Sequence, residues 1–188
     1  IMSGSDASSI SLSSSGQLTL NTAPDFESPV DANADNSYNL NIKVSDANAE
    51  IPASLVVNVN NVNDNTPTFT TSATLNADEN QQAIITVDGS DPDGELNNLT
   101  YNVDGTEIVI HPSTGVMTFA SPPDYETKSS YTTILKLSDG TFEKSQEITI
   151  NVNNLNDNVP VFTTTLTTVA IEENDGRIGS TLTPSKLI

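Results

Sequence analysis

The sequence predicts an all-β protein made of repeated β-sandwiches, and two patterns support this. Polar and apolar residues alternate at 39–44, 131–137 and 147–152, as they do in strands that rest one face on a core. Clusters of Gly, Pro, Asn and Asp separate such segments at short intervals, which is typical of sandwiches with hairpin connections. We find no segment with the convincing period of an amphipathic helix.

The composition fits slim sandwiches better than the large core of an enzyme. Of the 188 residues, 35% are hydrophobic and 5% are aromatic, and Trp is absent. Thr and Val favour pleated, half-buried surfaces, and Thr is used heavily here. The length allows two domains of about 95 residues each.

Five sequence blocks occur twice, in the same order along the chain. The longest is Asn-Val-Asn-Asp-Asn-Thr-Pro-Thr-Phe, which returns about 93 residues later as Asn-Leu-Asn-Asp-Asn-Val-Pro-Val-Phe. The paired blocks are 16–20 and 115–119, 24–27 and 123–126, 44–46 and 137–139, 61–69 and 154–162, and 78–80 and 172–174. Recurrence at one period indicates tandem structural repeats.

The phase of these blocks predicts the domain organisation. Residues 66–158 form one complete repeat, named repeat B. Residues 1–65 form the C-terminal part of a preceding repeat A, and residues 159–188 form the N-terminal strands of a following repeat C. We therefore expect the chain to be a segment excised from a longer array of repeats.

Charge and cysteine content exclude several classes of function. Twenty-five Asp and Glu residues face six Lys and Arg residues, for a formal net charge of −19. Nucleic acids and anionic membrane surfaces are poor partners for such a chain, because binding them requires basic clusters. Cysteine is absent, which excludes disulfides, thiolate zinc sites and cysteine nucleophiles. No apolar run is long enough to span a membrane, so we expect no direct membrane insertion in this segment.

Acidic residues recur at positions that suit a hard cation. Asp91 and Asp93 lie on a Pro- and Gly-containing turn, and residues 63–65 form a polar linker before Pro67. Calcium takes six to eight oxygen ligands from carboxylates, amides and carbonyls. Two carboxylates about 4 Å apart repel by about 4 kcal/mol at an effective dielectric of 20, and no basic residue lies inside these motifs. Spacing alone leaves open whether the acids converge or lie in solvated loops.

These blocks resemble the signature of cadherin repeats. That signature combines an Asp-x-Asn-Asp-Asn-x-Pro linker, a Glu-Asn motif, an Asp-x-Asp motif, an Asp-aromatic/Arg-Glu motif and a late single Asp. In its Thr- and Asn-rich composition without Trp, the chain is more similar to the cadherin-like repeats of bacterial surface adhesins than to vertebrate adhesion cadherins. The resemblance implies tandem Greek-key, Ig-like β-sandwiches at a cell surface, with up to three calcium ions at each linker.

The resemblance also implies which residues bind calcium. At the linker between repeats A and B they are Asp25, Glu27, Asn61, Val62, Asn63, Asp64, Asn65, Asp91, Asp93 and Asp139, with Val62 and Asn65 acting through their carbonyls. At the linker between repeats B and C they are Glu79, Asp124, Glu126, Asn154, Leu155, Asn156, Asp157 and Asn158, with Leu155 and Asn158 acting through theirs. Glu173 would serve a linker beyond the end of this chain, and Asp46 one before its start.

The sequence departs from the family pattern in two ways. The first linker acid of the family is replaced by Asn61 and Asn154, which should weaken one ion at each linker. The Glu-Asn motif of repeat A and the Asp-x-Asp motif of repeat C are missing from the sequence. We therefore expect the first linker to keep the ion bound by Asp91, Asp93 and Asp139, and the second to keep the pair bound by Glu79 and Glu126.

Two weaker signals have plainer explanations. Asp31, Asn33 and Asp35 imitate the start of an EF-hand loop, but the glycine and the glutamate that should follow are absent, so an insertion loop is expected. His111 is the single histidine and sits beside a turn, without the partners of a catalytic triad. Paired acids could suggest a glycosidase, but active sites rarely recur with a repeat period. We predict no enzyme.

Three functions remain. The first is a calcium-stiffened spacer of an extracellular, membrane-associated adhesin, with neighbouring repeats of the same parent chain as partners. The second is a self-adhesive, homophilic or carbohydrate-binding module. The third is an accessory domain of a secreted carbohydrate-active enzyme. The absence of Trp excludes adhesion by exchange of a Trp-bearing first strand, and core positions such as Phe69, Tyr101 and Phe119 use the aromatics that sugar binding needs.

Repeat A lacks its first strands and repeat C consists of such strands, which suggests a homo-oligomer formed by strand exchange. Residues 161–183 contain the first strands that repeat A lacks, with apolar residues at 162, 166, 169 and 171. We expect these strands to complete repeat A of another molecule, where Glu173 would join Asp25 and Glu27. The alternative is a disordered tail and a frayed repeat A.

Overall fold

The computed structural model describes residues 2–94, 98–161 and 173–174, and it is an all-β structure. Besides one short 3-10 helix at Ala7–Ser9, the regular elements of the described residues are strands. The first five strands are β1 (Met2–Ser3), β2 (Ile10–Leu12), β3 (Leu18–Leu20), β4 (Ser37–Ser45) and β5 (Glu50–Asn58). The next are β6 (Thr68–Phe69), β7 (Thr74–Asp78), β8 (Ala83–Thr86), β9 (Gly89–Ser90), β10 (Thr100–Val103), β11 (Ile108–Ile110), β12 (Val116–Phe119), β13 (Ser130–Ser138) and β14 (Glu143–Asn153).

Strands β1 to β5 surround a small N-terminal core. The sheet β1-β4-β5 faces the hairpin β2-β3, and the buried residues of this core are Ile10, Tyr38 and Leu40. Tyr38 and Leu40 lie two positions apart on β4 and are each 2% exposed, as the alternation of a one-sided strand requires. In the described residues β5 lies at the edge of its sheet.

Strands β6 to β14 surround a larger central core. The sheet β10-β13-β14-β7 is antiparallel except for the pair β14 and β7, and it packs with the sheet β11-β12-β8 and the short pair β6-β9. Residues of both larger sheets meet in this core, which makes it a β-sandwich. The predicted sandwich fold is therefore confirmed.

The predicted strands at 39–44, 131–137 and 147–152 are confirmed as parts of β4, β13 and β14. Leu135 and Leu137 of β13, and Ile148 and Ile150 of β14, are 0% exposed. Their polar neighbours point the other way, because successive side chains of a strand alternate between its two faces. Phe119 is buried in the central core, and Phe69 and Tyr101 pack against it, as expected.

Three turns at the ends of central strands position acidic residues. Glu79 directly follows β7, Asp93 lies on the turn after β9, and Asp139 directly follows β13. The last turn uses Gly140 at φ +96°, a left-handed conformation that glycine adopts without steric strain. These acids are thus fixed by the strands that precede them.

The residues of the two cores fall in separate stretches of the chain. All residues of the N-terminal core lie within 1–65, and all residues of the central core lie within 66–158. The division into repeats A, B and C stays a prediction, as do its boundaries. Residues 162, 166, 169 and 171, the apolar positions of the predicted strand exchange, lie outside the described residues. The exchange therefore also stays a prediction, which light scattering on the whole chain and on a version ending at residue 160 would test.

Candidate functional site

A first acidic cluster is formed by Glu27, Asp64 and Asp93, which can bring one carboxylate oxygen each to within 4.8 Å of one another. Glu27 comes from the segment between β3 and β4, Asp64 from the linker between β5 and β6, and Asp93 from the turn after β9. The cluster therefore collects one acid before the linker, one within it and one after it. These three acids lie near one another in the structure, and their role as calcium ligands stays a prediction.

Asp93 connects the linker to the central sandwich through hydrogen bonds. Its side chain is buried, with 1% exposed, and accepts hydrogen bonds from the backbone N–H of Asn65 at 2.9 Å and from the Asn65 amide at 2.8 Å. The Asn61 amide donates to the Asp93 carbonyl at 3.0 Å. Burial raises the pKa of Asp93, but the hydrogen bonds from Asn65, from the Asp64 backbone and from the Glu27 side chain together leave this pKa below its ordinary value.

Asp91 and Asp139 both follow the linker in sequence. In each of them, one carboxylate oxygen accepts backbone N–H groups. The backbone N–H of Asp93 donates to Asp91 Oδ1 at 2.9 Å. Asp139 Oδ1 accepts the N–H groups of Thr141 and Phe142 at 2.6 Å each. Burial raises the pKa of Asp139, but these two N–H groups and the Asn63 side chain lower it below its ordinary value.

Four buried oxygens of this region have no hydrogen-bond partner. They are Glu27 Oε1, Asn61 Oδ1, Asp91 Oδ2 and Asp139 Oδ2. Buried polar atoms are nearly always hydrogen-bonded, and a site for a bound ion is one physical reason for an exception. All four belong to residues that the repeated motifs predict as ligands of one linker.

The electrostatics of the first acidic cluster favour a positive charge. Burial raises the pKa of Glu27 above its ordinary value, and the carboxylates of Asp93, Asp64 and Asp25 raise it further. The ion pairs of Lys43, Lys128 and Lys136 are made with Glu50, Glu107 and Asp104, which lie outside the cluster.

A second acidic cluster is formed by Glu79, Asp124 and Glu126, which can also bring one oxygen each to within 4.8 Å of one another. Glu79 is buried, with 2% exposed, and both of its oxygens accept backbone N–H groups. Oε2 binds the N–H of Tyr125 at 2.8 Å and Oε1 binds the N–H of Leu155 at 2.6 Å. Glu79 therefore joins β7 to the segment after β14.

Side chains of the second linker also bind this end of the central sandwich. The amide of Asn154 donates to Glu126 Oε1 at 3.2 Å, and the amide of Asn80 donates to Asp157 Oδ2. Asn80 adopts φ +65°, a conformation that Asn tolerates better than most residues. Sequence reasoning missed Asn80 as a site residue, although the recurring Glu-Asn pair was the signal that could have found it.

Asp124 uses its carboxylate to cap its own turn. Oδ1 accepts the N–H of Glu126 at 3.0 Å, and Oδ2 accepts the Thr127 hydroxyl at 2.9 Å. These contacts, led by the Thr127 hydroxyl, lower the pKa of Asp124 below its ordinary value. Asp25 of the earlier block does the same with the N–H groups of Glu27 and Ser28, at 3.1 Å each.

The remaining predicted ligands are not brought into either cluster by side-chain contacts. Val62 and Leu155 have exposed side chains, and their predicted role is through the backbone carbonyl. The others are Asn156, Asn158, Glu173 and Asp46, all exposed. Asp46 accepts the N–H groups of Asn48 and Ala49, in the manner of Asp139. Most residues around Glu173 lie outside the described residues, so its predicted role stays untested.

The Asp31 loop is closed by its own backbone. Asp31 Oδ1 accepts the N–H groups of Asn33 and Asp35, and Oδ2 accepts the N–H of Asn36 at 3.0 Å. Ala34 and Asn36 have φ of 58° and 62°, as a tight loop requires. Both Asp31 oxygens serve the loop itself, which agrees with the predicted insertion loop. His111 is exposed and accepts the N–H groups of Ser113 and Thr114, so it caps a turn.

Comparison with known sequences points to cadherins. No protein-family model matches the chain. A putative neural-cadherin 2 of Drosophila melanogaster is 34% identical over 113 residues, which cover 58% of this chain and 6% of that protein. Protocadherin-23 of Homo sapiens is 37% identical over 92 residues, which cover 45% of this chain and 3% of that protein. The chain thus spans a small fraction of the length of these relatives.

Comparison with solved structures gives the same fold. A protocadherin gammaB7 EC3-6 cis-dimer structure matches 88% of this chain and 43% of its own chain, with a TM-score of 0.72 and 22% identity. The human desmocollin-1 ectodomain matches 98% of this chain and 39% of its own chain, with a TM-score of 0.66 and 23% identity. The chain therefore resembles cadherins in sequence and has the β-sandwich fold of their repeats. Its relatives indicate an extracellular location at the cell surface.

Both acidic clusters lie beside segments that follow long strands. The first cluster surrounds the linker at 61–65, and the second lies where β14 continues into residues 154–158. Within the described residues, no helix is long and apolar enough to cross a membrane.

Proposed function

We propose that this chain is a calcium-binding segment of an extracellular adhesion protein, in which calcium at the linkers holds successive cadherin-like repeats in a fixed orientation. The segment would act as a stiff spacer that presents other parts of its parent protein. Its partners would be calcium and the neighbouring repeats of the same chain. We propose no enzymatic role.

The observation that carries this proposal is the set of buried oxygens without partners at the first linker. Leaving a buried polar atom unpaired destabilises a fold, so several such atoms in one region require a physical reason. Cations bound beside these oxygens of Glu27, Asp91 and Asp139 would supply that reason. They would also offset the mutual repulsion that raises the pKa of Glu27.

The donor set favours calcium over other metals. Both clusters offer carboxylate oxygens, and amide oxygens lie beside them, whereas the chain contains no cysteine and a single histidine that caps a turn. Zinc and other borderline metals prefer nitrogen and sulfur ligands. Magnesium demands near-ideal octahedral geometry and retains its waters, while calcium accepts many oxygens in irregular geometry.

The residues of the first linker are arranged to couple two repeats. Glu27 approaches from the segment that carries the N-terminal core, and Asp93 approaches from the central sandwich. Asn65 already joins the linker to Asp93 through two hydrogen bonds. Bound calcium would neutralise the converging carboxylates, and their shared ligation would restrict the angle between the repeats.

Thermal unfolding in calcium and in EDTA tests this proposal. Extracellular modules bind calcium with a Kd of about 0.1–1 mM, so each occupied site should add about 1.4–2.7 kcal/mol at about 10 mM calcium. Magnesium at equal ionic strength is the control, because it screens charge without matching the geometry. An unfolding midpoint that calcium leaves unchanged relative to EDTA would refute the proposal.

A further inference from the structure

We propose that Asn98 is a site of N-linked glycosylation, at which an oligosaccharide is joined to the side-chain amide before the central sandwich folds. Asn98-Leu99-Thr100 matches the acceptor pattern Asn-x-Ser/Thr, in which x is any residue except Pro. The chain is rich in Asn, yet no other Asn in its sequence has Ser or Thr two positions later. This modification does not depend on calcium binding.

The location of the chain fits the modification. Its relatives indicate an extracellular location, and the sequence relatives named above are animal proteins. Animal cells export extracellular proteins through the compartment in which oligosaccharides are transferred to Asn. Because an attached oligosaccharide is bulky and hydrophilic, its acceptor must lie at the surface of the folded chain. The surroundings of Asn98 therefore decide whether the pattern is usable.

The structure leaves room for an oligosaccharide at Asn98. This residue is exposed and lies outside regular structure, two residues before β10 begins. It borders a surface cleft of about 460 Å³, which is lined by Asn98, Leu99, Thr100, Tyr101 and Ser113. None of these five belongs to the buried residues of the central core. A sugar attached to Asn98 would therefore displace no buried core side chain.

The transfer is a substitution at a sugar carbon, and its donor is an oligosaccharide linked to a lipid through a diphosphate. The side-chain nitrogen Nδ2 of Asn98 attacks the anomeric carbon of the N-acetylhexosamine at the reducing end. A carbon–nitrogen bond forms and the bond from that carbon to the diphosphate oxygen breaks. The lipid diphosphate leaves with the electron pair, and Nδ2 loses one proton to a base of the transferring enzyme. No atom is oxidised or reduced.

Folding removes one of the two groups that define the acceptor. The pattern requires a hydroxyl two residues after the Asn, and here it belongs to Thr100. In the folded chain this hydroxyl donates to the carbonyl of Ser138 at 3.1 Å, and the two residues are paired between β10 and β13. The transferring enzyme therefore reaches the Thr100 hydroxyl only before β10 pairs with β13. The open cleft beside Asn98 then accommodates the attached sugar in the folded chain.

Mass spectrometry of the secreted chain tests the site. The full chain, secreted from cultured human cells behind a signal peptide, should carry an oligosaccharide of N-acetylhexosamine and hexose units at Asn98. Digestion with a peptide N-glycosidase in ¹⁸O-labelled water should release the sugar and leave an ¹⁸O-labelled Asp at this position. A secreted chain whose Asn98 carries no sugar would overturn the proposal.

Matched variants assign the modification to the acceptor pattern. Thr100→Ser keeps the hydroxyl and should keep the oligosaccharide, whereas Thr100→Val replaces the hydroxyl by a methyl group of similar size and should abolish it. Asn98→Gln should also abolish it. A sugar that persists at position 98 in Thr100→Val would contradict the role of the hydroxyl.

The order of transfer and folding has a test of its own. The unmodified full chain, made in bacteria and folded, is incubated with the purified transferring enzyme and its lipid-linked donor. A short synthetic peptide containing Asn-x-Thr is added to the same tube and shows that the enzyme is active. We expect the peptide to be modified and the folded chain to stay unmodified. Modification of both to the same extent would overturn the order.

Discussion

Replacing Asp93 by Ala tests how one buried carboxylate links calcium to repeat orientation. Asp93 belongs to the first acidic cluster, and it holds the linker through both the backbone and the side chain of Asn65. The variant removes a carboxylate that we propose as a calcium ligand, and with it the hydrogen-bond acceptor of Asn65. Loss of a group that merely orients a ligand typically weakens metal binding 10–100-fold, so we expect at least that here.

The magnitude follows from mass action. With a Kd of about 0.1–1 mM, the first site contributes about 1.4–2.7 kcal/mol at about 10 mM calcium. A 10–100-fold weaker site would contribute between about 0.1 and 1.4 kcal/mol at the same concentration. The calcium-induced rise of the unfolding midpoint should therefore shrink. The central sandwich should stay folded, because Leu135, Ile148 and other fully buried residues form its core without Asp93.

The assay is thermal unfolding of Asp93→Ala with EDTA and with calcium, combined with small-angle scattering to follow the distance distribution between repeats. Asp104→Ala is the matched control, since it removes one acidic charge from an ion pair with Lys136 on the surface and lies outside both clusters. A calcium response of Asp93→Ala equal to that of the control would refute the ligand role. Loss of the folded central sandwich in EDTA would show that Asp93 is needed for folding itself.

Three further perturbations have expected outcomes. Asn61→Asp places a negatively charged oxygen at a buried position without a hydrogen-bond partner. Calcium titration should show roughly tenfold tighter binding, because the charge of the ligands tunes calcium affinity. Without calcium, in EDTA, the variant should unfold at a lower temperature than the unmodified chain. Leu135→Ala, at 0% exposed, should cost about 2–5 kcal/mol in urea unfolding, with or without calcium. The backbone N–H groups of Asn39 and Ala32 lower the pKa of Asp6 in the folded chain. The ionised Asp6 carboxylate therefore stabilises the fold at pH values above its unfolded pKa of about 3.9, and this stabilisation is lost as the pH falls below that value. Asp6→Asn should therefore flatten the loss of stability below about pH 4 in an acid titration followed by circular dichroism.

The carbohydrate-binding alternative receives less support from the structure than the spacer. Phe119 is fully buried in the central core, and Phe69 and Tyr101 pack against it. Tyr131 packs edge-on against Phe119, with ring centroids 5.0 Å apart, and Lys128 lies over its ring. These aromatic side chains stabilise the sandwich, so they are not available as a flat stacking surface for sugars.

The sequence by itself determined the fold class and the identity of the acids. Alternation predicted β4, β13 and β14, because a strand with one buried face must repeat every second residue. The recurring blocks predicted Glu27, Asp93 and their counterparts, since a repeated fold returns the same turn to the same place. The closed Asp31 loop was also predictable, because an EF-hand requires residues that the sequence lacks.

Tertiary structure alone decided which acids meet and how each oxygen is used. Glu27 and Asp93 are 66 positions apart in sequence, and only the packing of separate loops brings them within reach of one another. Asp91, Asp139 and Glu79 are all acids of the repeated motifs. Asp91 and Asp139 each have one buried carboxylate oxygen without a hydrogen-bond donor, whereas both carboxylate oxygens of Glu79 accept a backbone N–H. Local sequence does not encode that difference, because it depends on which distant backbone N–H groups the folded loops present to each carboxylate.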